Sequence, residues 1–406
     1  GVAFFAKKNK YTYELFEANN IFGGNCITFN HNEFYFDSGA HRLHDKDAKT
    51  TELFKSLLNE NLKLINIPSQ IFRDGKFLDF PISPLNLIKY FGIRKCIFEG
   101  IKIILNKRND EISFKSMVES KYGKEISKLF LLDYSEKLWG EKADNLSRHI
   151  AGKRLKGLNL YTFVLEIIFG NKKKTKHLDG SFFYPKYGIG TLFSELANQL
   201  DKESIHKESR VTKIKHQENY ITEIEINGSQ EKKVQNLVSS MPLNKMLKIL
   251  HPSPPEEILN IAEKIKFRNV ILVVFFLNKN KINHNGSMYF PSKKYPFTRV
   301  YEPKNRSSFM SPPNKTSLAV EIPSFQNDKY WNMEEHEVKK CISNHLIEIG
   351  FFNRNEIIDS VVKKIFHAYP VMSINYQENI IQINKYLSNF KNLYLTGRNG
   401  LFTYSH

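Results

Sequence analysis

Residues 13–44, YELFEANNIFGGNCITFNHNEFYFDSGAHRLH, decide the fold. They open on a short predicted strand, Tyr13–Phe16, that ends on the acid Glu17. An acid at the end of the second strand of a nucleotide-binding unit can accept both hydroxyls of a ribose. The pair Gly23-Gly24 follows. Two adjacent glycines let the backbone pass close to a pyrophosphate or ribityl chain, because no Cβ intrudes. Two short alternating runs come next, Cys26–Phe29 and Glu33–Phe36, joined through His31-Asn32. The stretch closes on Asp37, Gly39, Ala40 and His41. In this order the parts predict an α/β chain built around a dinucleotide site.

Composition bounds the rest. A chain of 406 residues, 41% of them hydrophobic, can bury the core of two or three globular domains. Its longest apolar run, Val270–Leu277, has the length of a strand and not of a membrane span. Three well-separated cysteines, Cys26, Cys96 and Cys341, argue against a disulfide framework or a zinc site and point to a reducing, cytoplasmic compartment. The net charge of +18 comes mostly from lysine spread along the chain. Nucleic-acid binders instead gather basic and aromatic residues on one face, so no nucleic-acid partner is expected. The one dense run, Lys172 to Lys174 with Lys176, reads as a solvated loop. A positive field still attracts anionic small molecules such as nucleotide sugars.

Along the chain, Ala48–Asn59 predicts a helix, Lys63–Asn66 a strand, and Ser69–Arg73 with Lys76–Leu78 a hairpin turning on Asp74-Gly75. Asn86–Arg108 is a basic amphipathic helix, suited either to a membrane surface or to covering a domain with its apolar side inward. Residues 180–190, GSFFYPKYGIG, predict a glycine- and aromatic-rich loop ahead of a helix at Thr191–Leu200. Strands follow at Arg210–Lys215, Tyr220–Ile226 and Leu237–Ser240, and a helix at Glu256–Lys264. Val270–Leu277, Ser287–Phe290, Phe297–Tyr301 and Ser317–Ile322 predict a second, largely antiparallel sheet. Glu334–Ile349 is a helix, Asp359–Ala368 a strand, and Asn392–Thr396 a buried strand.

The string of strand, Glu-Ala, Gly-Gly and Asp-x-Gly-Ala-His resembles the FAD site of the amine oxidase and protoporphyrinogen oxidase superfamily. Gly-Gly-Asn before Cys26 and Gly-Ala-His also resemble UDP-galactopyranose mutase, a flavoenzyme of related fold. Two further blocks carry the likeness: residues 134–158, with Tyr-x-x-Lys-x-Trp-Gly, and Gly397-Arg398-Asn399-Gly400. The resemblance implies a Rossmann-like FAD-binding domain, an antiparallel-sheet substrate domain and a helical insertion. It assigns residues 1–66, 181–250 and 371–406 to the FAD domain, 67–84 to a substrate-domain hairpin, 85–180 to the helical insertion, and 251–370 to the substrate domain. Against that pattern the chain is expected to be a piece of a longer enzyme. It would begin just after the third glycine of the GxGxxG loop and stop at Tyr404-Ser405-His406, where the family continues into a helix.

The same resemblance supplies candidate residues. Glu17, Gly23, Gly24, Gly39, Ala40, His41, Val211, Gly397 and Arg398 would hold FAD, with Arg398 on the pyrophosphate. Trp139, Tyr184, Arg299, Tyr369 and Tyr404 would meet the substrate, although Trp139 equally suits a core position between two helices. His41, placed beside the flavin ring by its match, and Arg299 are the catalytic candidates. No metal cluster stands out. The leading reading is an FAD-dependent oxidoreductase that takes a hydride from a small or amphipathic organic substrate. The alternative is a mutase-type isomerase of nucleotide sugars in cell-surface polysaccharide biosynthesis, with no net redox change. Arg299, Tyr369 and Tyr404 support the mutase, whereas Asp179-Gly180-Ser181 lacks the arginine that a mutase carries there. Under the oxidoreductase reading, Arg299 is an internal partner of Glu302 or Glu321. A third reading, a non-catalytic escort of lipidated partners, conflicts with flavin signatures at both ends.

Overall fold

A computed structural model describes residues 1–81, 84–96, 98, 101, 112–151 and 181–404. The lysine run at 172–176 lies outside them, as do parts of the predicted helix over 86–108 and of the segment 179–181. The chain forms two compact units. The first comprises residues 1–27, 192–267 and 367–406, and the second 28–191 and 268–366. The first division between these units falls at residue 27. The reason is apolar: Phe34 and Phe36 bury themselves against Leu272, Val274 and Phe276 of the second unit. Residues 181–191 likewise belong to the second unit, and 251–267 to the first.

The second unit is built on Phe267–Leu277, a strand in which every residue is buried. Alternation along a strand sends successive side chains to opposite faces. Ile271, Val273, Phe275 and Leu277 enter one core, where Val338, Ile342 and Leu346 meet them from the helix Glu335–Ile349. Leu272, Val274 and Phe276 enter the other, under the hairpin of Thr28–His31 and Phe34–Asp37. The sheet has seven strands in the order Ile357–Pro370, Phe267–Leu277, Thr316–Ser324, Arg299–Tyr301, Ser287–Tyr289, Ser69–Arg73, Lys76–Phe80. Ser287–Tyr289 runs parallel to Ser69–Arg73, and the pairs Phe267–Leu277 with Thr316–Ser324 and Thr316–Ser324 with Arg299–Tyr301 are antiparallel. The predicted hairpin at Asp74-Gly75 forms, with φ of 49° and 74° at the turn.

The predicted loop at 180–190 is corrected by the structure. Ser181–Pro185 is a strand, antiparallel to Leu62–Asn66. It is held by Asp37, a buried carboxylate at the end of Phe34–Asp37. Asp37 accepts hydrogen bonds from the hydroxyl of Thr28 at 2.6 Å, the hydroxyl of Tyr184 at 2.5 Å and the amide of Ile189 at 3.0 Å. The turn after Tyr184 must come this close for the amide bond to form, so no Cβ fits at Gly188. One built there would lie 2.4 Å from Thr28 Oγ1 and 2.7 Å from Asp37 Oδ1, at a φ of +93°.

The first unit carries two short parallel pairs, Leu15–Phe16 with Ile205–His206 and Leu237–Ser239 with Leu393–Leu395. Beside them stands a four-stranded sheet of Gln230–Lys233, Tyr220–Ile226, Val211–Gln217 and Leu250–His251. Its core gathers Ile214, Ile221 and Ile224 with Ile261 of the helix Glu256–Lys264 and Ile383 and Leu387 of the helix Tyr376–Leu387. Leu393–Leu395 is only half buried, since Tyr394 is 52% exposed; the apolar run at 392–396 overstates its burial. His367, where Ile357–Pro370 enters this unit, adopts a φ of +53°. Burial, with Lys245 nearby, lowers its pKa to about 4.

Two outcomes follow from this packing. Gly188→Ala should destabilise the protein by about 2–3 kcal/mol in chemical denaturation, through strain and contact with Thr28 and Asp37. The unfolded chain takes up a proton at His367 near the ordinary imidazole value of 6.5, which the folded chain resists down to about 4. Stability is thus lost as the pH falls through that window. In His367→Asn, thermal unfolding followed between neutral pH and pH ~4.5 should show a shallower decline than in the wild type.

Candidate functional site

The sequence places the Gly39-Ala40-His41 turn directly after the clamped Asp37, and the second unit anchors it on three sides. Tyr301 donates its hydroxyl hydrogen to the Asp37 carbonyl at 2.9 Å. The Ala40 amide donates to Glu321 Oε1 at 2.8 Å. Arg306 Nη1 donates to the His41 carbonyl at 3.2 Å. His41 Nε2 lies 3.3 Å from Ser38 Oγ. The turn is rigid because its anchors belong to the sheet and its loops.

Strand parity explains which sheet residues reach it. Arg299, Tyr301, Ala319 and Glu321 are alternate positions on one face, the face that buries Phe34, Phe36 and Ala40. Arg299 stands opposite Glu321 in the antiparallel register. Its Nε and Nη2 donate to Glu321 Oε2 at 2.9 and 2.6 Å. The carboxylate is 2% exposed and the guanidinium side chain 18%. Glu321 therefore takes the Gly-Ala-His turn on one oxygen and Arg299 on the other. Of the two partners expected for Arg299, Glu321 is the one found. Glu302 instead accepts from the amides of Ile282 and Asn283, the Thr316 hydroxyl and the Asn305 amide group.

Burial raises the pKa of Asp37, while its bonds to Thr28 and Tyr184, the Arg306 charge and the Ile189 amide work the other way. The Tyr184 hydroxyl is pushed well above its ordinary value by burial and by Asp37. Tyr184, expected at the substrate, is buried with its hydroxyl engaged by Asp37, so here it braces the fold. Trp139 ends the helix Asp133–Trp139 in a buried position, as a packing tryptophan does. The following Gly140, at a φ of +68°, has Arg268 Cζ and Phe325 Cε2 each 2.6 Å from where a Cβ would sit.

The first unit holds the other candidates. Glu17 follows Leu15–Phe16; its amide donates to the His206 carbonyl at 2.8 Å, and its Oε1 accepts from the Asn19 amide at 2.9 Å. Gly23 and Gly24 have φ of +118° and +58°, and a Cβ at Gly23 would lie 2.8 Å from the Cys26 carbonyl oxygen. Beside Gly24, apart from its two chain neighbours, no atom of the described residues lies within 4 Å of a Cβ position, so a ligand could approach bare backbone there. Asn25 Nδ2 donates to the His367 carbonyl at 2.8 Å, tying the glycine turn to the strand end at Tyr369. Arg398 Nη1 reaches the next carbonyl, Ala368, at 3.4 Å, and its guanidinium lies 5.4 Å from the Tyr404 ring centre. Tyr369 and Tyr404 meet edge to face at 5.9 Å. Tyr369, Arg398 and Tyr404 are thus one cluster. Val211 opens the strand Val211–Gln217, opposite Ile226, and Gly397 has a φ of +73°. An acid after a strand, glycines at positive φ and an arginine suit the ribose and pyrophosphate of a dinucleotide. Among the described residues no group of His, Cys, Asp or Glu is placed to hold a metal ion, and no helix is long and apolar enough to cross a membrane.

Sequence reasoning quoted Asn25 and Asp37 within their motifs without the bonds they make, and it left out Arg306 and the double role of Glu321. Glu321 carried a signal of its own, as the one acid in the otherwise uncharged run Thr316–Ser324.

Comparisons with known proteins agree with this architecture. The structure superposes on that of reduced UDP-galactopyranose mutase with a TM-score of 0.86 and 18% identity, over 98% of this chain and 87% of that one. It superposes on a putative protoporphyrinogen oxidase from Exiguobacterium sp. 255-15 with a TM-score of 0.76 and 14% identity, over 98% and 90%. A putrescine oxidase bound to putrescine gives 0.62 and 14%, over 97% and 89%. At these identities the likeness establishes the fold. No curated protein matches the chain. The family model of flavin-containing amine oxidoreductases matches residues 7–397, and the chain therefore belongs to that family of FAD enzymes.

Proposed function

We propose that the protein is an FAD-dependent oxidoreductase of the protoporphyrinogen oxidase and amine oxidase type, acting on a small or amphipathic organic substrate. Bound FAD supplies the hydride acceptor. The protein's part is to hold cofactor and substrate in register and to keep water out. Glu17 accepts the ribose hydroxyls, Gly23, Gly24 and Gly397 admit the cofactor to the backbone, and Arg398 offsets the pyrophosphate charge. The anchored turn holds His41 without reorganisation at the moment of reaction.

The Arg299–Glu321 pair is the observation that supports the oxidoreductase reading. A nucleotide-sugar isomerase needs cations for a diphosphate, and Arg299 was the candidate. Its charge is matched by a buried carboxylate, and turning it toward a phosphate would leave Glu321 in an apolar core, at a cost of about 3–5 kcal/mol. One observation favours the second reading. Two phenols gathered at Tyr369 and Tyr404, 5.9 Å apart edge to face, suit hydrogen bonding to a substrate diphosphate in a UDP-galactopyranose mutase-like isomerase.

Calorimetric titration of UDP into the wild type and Arg299→Ala separates the two. The oxidoreductase reading expects UDP binding in neither, and a loss of about 3–5 kcal/mol in stability in the variant. Micromolar UDP binding that collapses in the variant would instead establish the isomerase. In parallel, flavin bleaching by candidate amines or porphyrinogens, reversed by air, reports net oxidation. For the cofactor, Glu17→Ala should weaken FAD binding by about 1–3 kcal/mol, and Arg398→Ala by at least as much, in fluorescence titrations. Unchanged FAD retention in both variants would remove these two assignments.

A further inference from the structure

Lys137 is the lysine of the Tyr-x-x-Lys-x-Trp-Gly run, and none of the assignments above uses it. It lies on the helix Asp133–Trp139, and its Nζ donates to the carbonyls of Phe290, of Ser292 at 2.8 Å and of Tyr295 at 3.0 Å. Three acceptors on one nitrogen match the three hydrogens of an ammonium; a neutral amine has only two. The nearby acids are engaged elsewhere: Asp133 pairs with Arg73 at 3.2 Å, and Glu136 with Lys293 at 2.8 Å. The ammonium is therefore held by carbonyl dipoles, with no carboxylate among the described residues in contact. Burial works against the charge and lowers its pKa to about 7, with Asp133 opposing the shift.

The three carbonyls belong to one loop. It closes where the Phe290 amide donates to the Thr298 carbonyl at 2.8 Å, and the next residue is Arg299. Carbonyl oxygens aimed at a common point repel one another unless a cation occupies it, and rings of such oxygens replace the hydration shell of potassium-sized ions in channels. We infer that the Phe290, Ser292 and Tyr295 carbonyls form a monovalent-cation site whose resident cation is the Lys137 ammonium, and that this tethered cation sets the loop leading into Arg299. Lys137 is then a positioning residue: it ties the helix that ends in Trp139 to the base of the strand that carries Arg299.

Replacing the tethered cation by a free one tests the inference. Lys137→Ala empties the site, and Lys137→Met fills the space without a charge. Thermal unfolding of the wild type and both variants is followed in ammonium chloride and in choline chloride at equal ionic strength. Lys137→Ala should be destabilised in choline and should gain about 3 °C or more in ammonium, as a ligand specific to the folded state does. The wild type and Lys137→Met should respond alike to the two salts. If Lys137→Ala does not fold in choline, its refolding yield from denaturant in the two salts gives the same comparison, with ammonium the higher. A Lys137→Ala protein as stable as the wild type, or one indifferent to the choice of salt in both unfolding and refolding, overturns the inference. So does equal rescue of Lys137→Met.

Discussion

The carboxylate of Glu321 lies inside a strand of nine buried residues, where an ionised acid is costly unless its lone pairs are met. Two partners meet them, Arg299 from the neighbouring strand and the Ala40 amide from the turn above. The requirement runs both ways. A strand slip of one residue would move Glu321 to the opposite face, into the core that holds Leu318, Val320 and Ile322, and strip it of both partners. The register of Arg299–Tyr301 against Thr316–Ser324 is therefore tied to the position of the Gly-Ala-His turn.

Asp37 imposes a matching constraint from the other end of that turn. Its three donors come from its own hairpin, from Tyr184 and from the backbone at Ile189. Because Tyr301 also grips the Asp37 carbonyl, the turn between Asp37 and His41 has little freedom left. Rigidity of this kind is what a cofactor enzyme draws from its protein. The chemistry is the cofactor's, and the polypeptide contributes orientation and electrostatics. In the first unit the same economy appears at a smaller scale. Asn25 and Arg398 each take one of two successive carbonyls, His367 and Ala368, and hold the bend at His367 against the strain of its positive φ.

Much of the secondary structure was legible because its periodicity was unambiguous. The helix Glu256–Lys264 and the strand Tyr220–Ile226 occur as predicted, and the Asp74-Gly75 hairpin forms, since amphipathic spacing and turn chemistry act over a few residues. Ser181–Pro185 was missed because glycine and proline flank an aromatic run, which suggests a loop. Its strand character comes from Leu62–Asn66, more than a hundred residues away in the chain. The partners of Phe34 and Phe36 were hidden for the same reason: they look like any strand residues until Leu272, Val274 and Phe276 are known to meet them.

The candidate site divides along the same line. Glu17, the glycine pair, Gly-Ala-His and Gly397-Arg398 stand in short ordered strings, and local backbone needs such as positive φ and close approach restrict which residues serve there. Those strings were readable in the amino-acid sequence and led to the flavin family. Which charges meet was not readable. Arg299 could have faced a ligand, Glu302 or Glu321, and all three choices are compatible with the sequence. The antiparallel register and the parity of the sheet put Glu321 opposite it and left Glu302 to backbone amides and the side chains of Thr316 and Asn305. Lys137 was visible in its motif but had no meaning there, because its partners are three carbonyls and a carbonyl is common to every residue. By itself the sequence determined the elements and the cofactor class, which depend on local spacing. The tertiary structure alone decided the partners of the buried charges, because those depend on which distant backbone and side-chain groups the packed sheet brings within about 3 Å.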